Sequence, residues 1–252
     1  MARRPLHLTA ELVARVERRV EETAPEHPAL TPLSDADFAA QAAALLALNP
    51  DAPFWVFVYG SLIWNPDFDH VETRPALVHG WRRSFCIGLR TWRGTPDEPG
   101  LMLALERGGS CRGLACRLPD SDPVARMERL LRREAAHAEA LPTFRWLAAR
   151  TPQGPVRALT FYAMPSGHPY LDPVGWDEKV RRLSRAAGRM GSCAAYLRNT
   201  VEHLEALGIR DSYLWRLQRD VAAAIAAAPP LAPAPSAAPA PAPDPAAAAA
   251  AG

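Results

Sequence analysis

The chain has 252 residues, 48% of them hydrophobic and 22% charged, an ordinary balance for a globular protein with one large domain or two small ones. Its 29 Lys and Arg against 27 Asp and Glu leave a net charge of +2, which singles out no polyanionic partner. No apolar run approaches the ~20 residues needed to span a bilayer, and charges interrupt the N-terminal "MARRPLHLTAELVARVERR" before a signal-peptide core could form, so the protein is expected to be cytoplasmic.

Residues 1–50 carry two helical patterns and read as a helical extension packed on the main domain. Thr9 can cap the first, with Glu11 in its opening turn, and Ser34 with Asp37 resembles a capping box for "DADFAAQAAALLAL". From residue 51 to about 118 the chain reads as strands and turns. "FWVFVY" (54–59) is a continuous apolar run short enough for a buried strand, and "WRRSFCIGL" (81–89) partly alternates. "LMLALE" (101–106) and "RGLACRL" (112–118) flank "RGGS", which reads as a hairpin turn, and "RGTPDEPG" (93–100) is loop chemistry.

A helix follows. Asp122 suits its cap and Pro123 its first position, while Met127, Leu130 and Leu131 recur at helical spacing. One more strand, "RALTFYAM" (157–164), precedes three helices. "WDEKVRRLSRAAG" ends at Gly188. "AYLRNTVEHLEALG" carries Leu197, Val201, Leu204 and Leu207 on its apolar face and stops at Gly208, and "DSYLWRLQRDVAAAI" has Asp211 as its cap. From Pro229 to Gly252 the chain is almost only Ala and Pro, and this composition predicts a disordered tail at 229–252. Strands first, one helix among them and helices after argue an α+β domain over 51–228 with a small closed or curved sheet.

Cys86, Cys111, Cys116 and Cys193 form no C-x-x-C pair and read as buried free thiols. The seven histidines show no metal-ligand spacing, so no metal site is expected. Short pairs such as Arg82-Arg83 and Arg181-Arg182 are balanced by acids and do not argue for nucleic acid. Two features remain that could carry chemistry. In "VFVYGSLIW" (56–64) a buried strand runs into Tyr59-Gly60-Ser61-Leu62. Such a turn is either an ordinary bend or a set of backbone N–H groups able to bind a carboxylate or an oxyanion. It is neither a P-loop nor a G-x-S-x-G elbow, which argues against Ser61 as a nucleophile. The second feature is Glu134, which stands where the Met127–Leu130–Leu131 stripe calls for an apolar residue. It could snorkel outward, pair with Arg83, Arg90 or Arg93, or be a base in an apolar setting.

Taken in order, "FWVFVYGSLIWNPDF", "GWRRSF", "RGTPDEPG", "LLRRE" and "AAYLRNTVEHLEALGIRD" resemble the ChaC-type γ-glutamylcyclotransferases over about residues 50 to 225. The resemblance implies a small mixed β-barrel with flanking helices and an enzyme that cleaves glutathione to 5-oxoproline and cysteinylglycine without a cofactor. It also implies that Glu134 is the acid/base and that the loop around Tyr59, Gly60, Ser61 and Leu62, with Val56, Phe57 and Val58 leading into it, holds the γ-glutamyl group. Arg93 and Tyr196 are further candidates for substrate contact. The sequence departs from the family pattern at Val58, Ala138, Ala140 and Cys193, which leaves open another γ-glutamyl amine as substrate, or an inactive γ-glutamyl-binding protein. The expected partner is a small-molecule substrate, with no nucleic acid and no membrane; the oligomeric state is not legible.

Overall fold

The computed structural model describes residues 4–21, 30–50, 53–135, 137–163 and 171–229. The Ala/Pro tail lies outside them except for Pro229. Five strands close into a barrel in the order β1-β3-β2-β4-β5: β1 (Trp55–Val58), β2 (Glu72–Leu89), β3 (Gly100–Arg117), β4 (Phe144–Thr151) and β5 (Gly154–Phe161). β1 pairs antiparallel with β3 and parallel with β5, and that parallel contact closes the sheet. The architecture is therefore α+β with a mixed barrel.

The continuous apolar run of β1 follows from burial on both faces. Trp55, Phe57 and Tyr59 enter one core with residues of the barrel and the C-terminal helices. Phe54, Val56 and Val58 enter a second core beneath α2 (Asp35–Ala47) and α3 (Pro123–Glu134). With no solvent face, the strand has no polar alternation to show.

Three expectations about strands need correction. "RGGS" is not a hairpin turn: residues 101–106 and 112–118 belong to one 18-residue β3, paired along its length with the equally long β2. Gly108 and Gly109, at φ 107° and 68°, sit opposite Gly80 where the register shifts, so the glycines bend two long strands rather than reverse one. β2 begins at Glu72, nine residues before the segment read as a strand. β4, "FRWLAART", was not expected. It pairs with β5 from Phe144↔Phe161 to Thr151↔Gly154.

The helices follow the sequence more closely. Thr9 caps α1 (Ala10–Ala14), Ser34 and Asp37 complete a capping box on α2, and Asp211 caps α6 (Ser212–Ala227) through Leu214 N–H at 3.0 Å. Asp122 does not cap α3 with its side chain. It stands in the left-handed region at φ 55°, and only its carbonyl engages the first turn, accepting from Arg126 N–H. Leu197, Val201 and Leu204 of α5 (Cys193–Ala206) are buried, whereas Leu207, past the helix end, is exposed. Between α4 (Trp176–Arg185) and α5 lies a two-residue hairpin, β6 (Ala187–Gly188) with β7 (Gly191–Ser192). All four cysteines are free and buried. Among the described residues no helix is long and apolar enough to cross a membrane.

Candidate active site

The end of β1 delivers Tyr59 into a loop that tightens at once into a 3-10 turn, Ser61–Ile63, with Ile63 N–H bonded to Gly60 C=O at 3.0 Å. The loop is fixed from below by Arg83. This side chain alternates along β2 with Trp81 and Phe85 and is 4% exposed like them, so its donors must be satisfied inside the protein. Nε donates to Tyr59 C=O at 2.7 Å, Nη1 to the Asp211 carboxylate at 3.0 Å and Nη2 to Arg112 C=O. Asp211 thus caps α6 and anchors the guanidinium that holds the loop.

Tyr196, in the first turn of α5, reaches across to the same loop. The Ser61 hydroxyl and backbone lie close enough to its phenol to oppose in part the rise in pKa that burial causes, and the phenol oxygen lies 3.5 Å from where a Cβ on Gly60 would stand. An alanine Cβ at 60 would stand in ordinary van der Waals contact with that hydroxyl. Arg93 comes from the β2–β3 loop. Its guanidinium sits over the Tyr196 ring at 5.4 Å and donates to Ser192 C=O at 3.1 Å. Trp64 and Phe85 close the Tyr196 ring edgewise. Tyr59 donates its hydroxyl to Phe161 C=O at 3.0 Å.

Glu134 ends α3 at this cluster. Its side chain is 18% exposed, and the fully buried stripe of Met127, Leu130 and Leu131 continues not through Glu134 but through Ala135. The expected partners Arg83, Arg90 and Arg93 are not the ones it takes. It forms an ion pair with neighbouring Arg133, Nε to Oε1 at 3.0 Å, while Arg133 also bonds Asn65 C=O at the loop's far end. Desolvation pushes the Glu134 carboxyl above its ordinary value, and the Arg133 charge and hydrogen bond oppose that only in part. The charge is near enough to be felt by both phenols. Burial is the main cause that raises Tyr59 far above its usual value and Tyr196 to about 12, and Glu134 adds to each.

The structure thus brings Tyr59, Gly60, Ser61, Arg93, Glu134 and Tyr196 together, with Leu62 packed beneath as a core residue. The side chains of Val56, Phe57 and Val58 are consumed by the two cores. Ala140 packs against the second core, and Ala138 N–H bonds Thr31 C=O. Cys193 directs its thiol at the carbonyls of Arg93 and Leu101, and burial raises it to about 11. Sequence reading missed the supporting role of Arg83 and Asp211, although the Trp81–Arg83–Phe85 alternation carried the signal. Chemically, the cluster offers one carboxylate of raised basicity, phenolic hydroxyls, loop backbone N–H groups and one guanidinium. Among the described residues no group of three or more His, Cys, Asp or Glu is placed to hold a metal.

Comparison with known proteins adds the lineage. The family model described as ChaC-like protein matches residues 54–224. The glutathione-specific gamma-glutamylcyclotransferase of Escherichia coli (strain K12) is 36% identical over 178 residues, covering 70% of this chain and 76% of that protein. Gamma-glutamylcyclotransferase 2-3 of Arabidopsis thaliana is 33% identical, covering 66% and 87%. Among solved structures, a yeast γ-glutamyl cyclotransferase specific to glutathione superposes with a TM-score of 0.59 at 19% identity, over 68% of this chain and 96% of that one, which speaks for the barrel fold. The matched span runs from the residue before β1 into α6 and contains every residue of the cluster around Glu134. This chain belongs to the ChaC-like protein family.

Proposed function

We propose that this chain is a glutathione-specific γ-glutamylcyclotransferase, with Glu134 as general acid/base. The observation that carries the proposal is the Glu134 carboxyl, desolvated and raised in pKa beside the Tyr59–Ser61 loop and Tyr196. The relatives from Escherichia coli and zebrafish, both named as glutathione-specific cyclotransferases, support the choice of substrate.

The reaction is an internal displacement. The α-ammonium of the γ-glutamyl group gives a proton to the Glu134 carboxylate, and the freed amine attacks the γ-carbonyl carbon. As the new ring C–N bond forms, the amide C–N bond to cysteine breaks. The proton held by Glu134 passes to the leaving nitrogen, and the second proton shed by the attacking nitrogen as it becomes the ring amide follows through Glu134 to the released amine, which leaves as an ammonium; 5-oxoproline and cysteinylglycine form with no water consumed and Glu134 restored. A raised carboxyl pKa makes the group a better proton acceptor than an exposed one and a competent donor in the second half. Nucleophile and electrophile share one molecule, so much of the rate comes from holding the γ-glutamyl group curled. The N–H groups of the Gly60–Ser61 turn suit either the developing oxyanion or the substrate carboxylate, and Arg93 with Tyr196 suits substrate binding. Four buried free thiols suit a reducing compartment, in keeping with a cytoplasmic enzyme.

The test is incubation of the pure protein with reduced glutathione and, separately, γ-glutamyl-alanine, assaying 5-oxoproline. Release from glutathione at much higher kcat/KM is expected. Turnover of γ-glutamyl-alanine alone would reassign the substrate, and turnover of neither would remove the enzymatic reading.

A further inference from the structure

The N-terminal segment ahead of α2 lies outside the span that the family model matches, yet it is stitched to the helices behind the site. Leu8, Val13 and Val16 enter the main core, and Leu8 N–H bonds the buried Gln218 side chain at 2.8 Å. Arg4 pairs with Glu205 at 2.6 Å and stacks over Trp215, and Val20 N–H bonds Gly188 C=O. One side chain of this strap reaches the support of the candidate site itself. Glu17 Oε2 accepts from Ser192 N–H at 3.1 Å and from Ser192 Oγ.

Ser192 is 1% exposed and caps α5, its Oγ accepting from Ala195 N–H at 3.1 Å. Its carbonyl takes the Arg93 guanidinium. Its hydroxyl can accept from Ala195 only while its own proton goes elsewhere, and Glu17 receives that proton. Ser192 is thus tied at N–H, O–H and C=O, and the residues fixed by it are Arg93, which lies over Tyr196, and the helix turn that carries Tyr196. An open groove of about 340 Å³ between α1 and α5 is lined in part by Glu17, Ala195 and Arg198.

We propose that Glu17 is a positioning residue for the candidate active site: through Ser192 it sets the placement of Arg93 and Tyr196. The kinetic part of this proposal rests on the γ-glutamylcyclotransferase reading; the structural part does not. Glu17 touches no reacting atom, so its loss should act on substrate affinity rather than on proton transfer. Gln keeps an oxygen that accepts from Ser192 N–H and O–H, whereas Ala does not.

The experiment compares wild type, Glu17→Ala and Glu17→Gln in two readouts. The first is amide hydrogen exchange of the peptide covering 189–197. The second is the KM and kcat for glutathione. The account expects faster exchange in that peptide for Glu17→Ala alone, with KM raised roughly fivefold, the scale of one lost capping bond, and kcat within about twofold. Glu17→Gln should track wild type in both. Unchanged exchange in Glu17→Ala would overturn the proposal whatever the kinetics do. A KM shift that Glu17→Gln fails to rescue would also overturn it, as would equal exchange increases throughout the chain, which mean general destabilisation. Wild-type protein that makes no 5-oxoproline would overturn the enzymatic reading instead, and the exchange comparison would still decide the role of Glu17.

Discussion

Arg83 Nε donates to the carbonyl of Tyr59 over 2.7 Å, while the same guanidinium is paired with Asp211 at 3.0 Å. One buried side chain therefore couples the loop after β1 to the start of α6, two segments more than 120 positions apart in the sequence. Replacing it with Met keeps the bulk and strips every donor, taking the guanidinium from the Asp211 carboxylate and from the Tyr59 and Arg112 carbonyls. Arg83→Met is expected to lose about 3–5 kcal/mol of stability, the usual cost of breaking a buried pair from one side. Asp211→Asn, which keeps an acceptor for Leu214 N–H, should lose less. Urea denaturation of both variants measures this, and a loss under 1 kcal/mol for Arg83→Met would mean the loop is held by other contacts.

The Glu134 environment makes a prediction about pH. Burial raises this carboxyl above the ordinary value of 4.5, so the folded protein holds the proton more tightly than the unfolded chain does. Its contribution to stability is then fully present below the unfolded value and is lost as pH rises through the higher folded value. At neutral pH the ionised carboxylate costs stability. Glu134→Gln should accordingly melt slightly higher than wild type at pH 7, with the gap closing near pH 4. For catalysis the sign reverses: kcat/KM should rise with pH through an apparent pKa above the usual carboxylate range, because the unprotonated form is the base. A melting temperature that falls on substitution at pH 7 would show that the Arg133 contact outweighs desolvation.

Ser61 is expected to serve through its backbone N–H and its contact with Tyr196, not as a nucleophile. Ser61→Ala leaves the N–H in place, so kcat should stay within about tenfold of wild type, far short of the roughly millionfold collapse that follows loss of a nucleophilic serine. Steady-state kinetics on glutathione distinguish the two, and complete loss of activity in a folded Ser61→Ala protein would favour a covalent route.

Most of what could be read ahead of the structure is local. The caps at Thr9, Ser34 and Asp211 depend on residues within one turn, and each forms as expected. The β1 run was legible because burial on both faces removes polar residues altogether. Gly108-Gly109 misled because a bulge and a turn ask for the same left-handed glycine; only the pairing of β2 across the full length of β3 decides between them. "FRWLAART" hid β4 because its Ala, Leu and Arg favour helix in isolation, and the hydrogen bonds to β5 override that preference. For Glu134 the helical stripe singles out the residue but places it one step too deep. Ala135 fills the core and Glu134 stands at the edge of it, where a carboxylate is desolvated yet reachable. Arg83 meets Asp211, and Glu17 meets Ser192, more than 100 positions away in sequence, beyond any periodicity.

The central claim is that Glu134 moves the proton, and Glu134→Gln isolates it. The substitution keeps the shape of the side chain and an oxygen for Arg133 while removing the base. The measurement is 5-oxoproline formed from glutathione by wild type and by the variant, alongside glutathione binding by calorimetry. The account predicts 5-oxoproline and cysteinylglycine in equal amounts from wild type. It predicts a variant that still binds glutathione but forms 5-oxoproline at background level. A folded variant with turnover near that of wild type would contradict it.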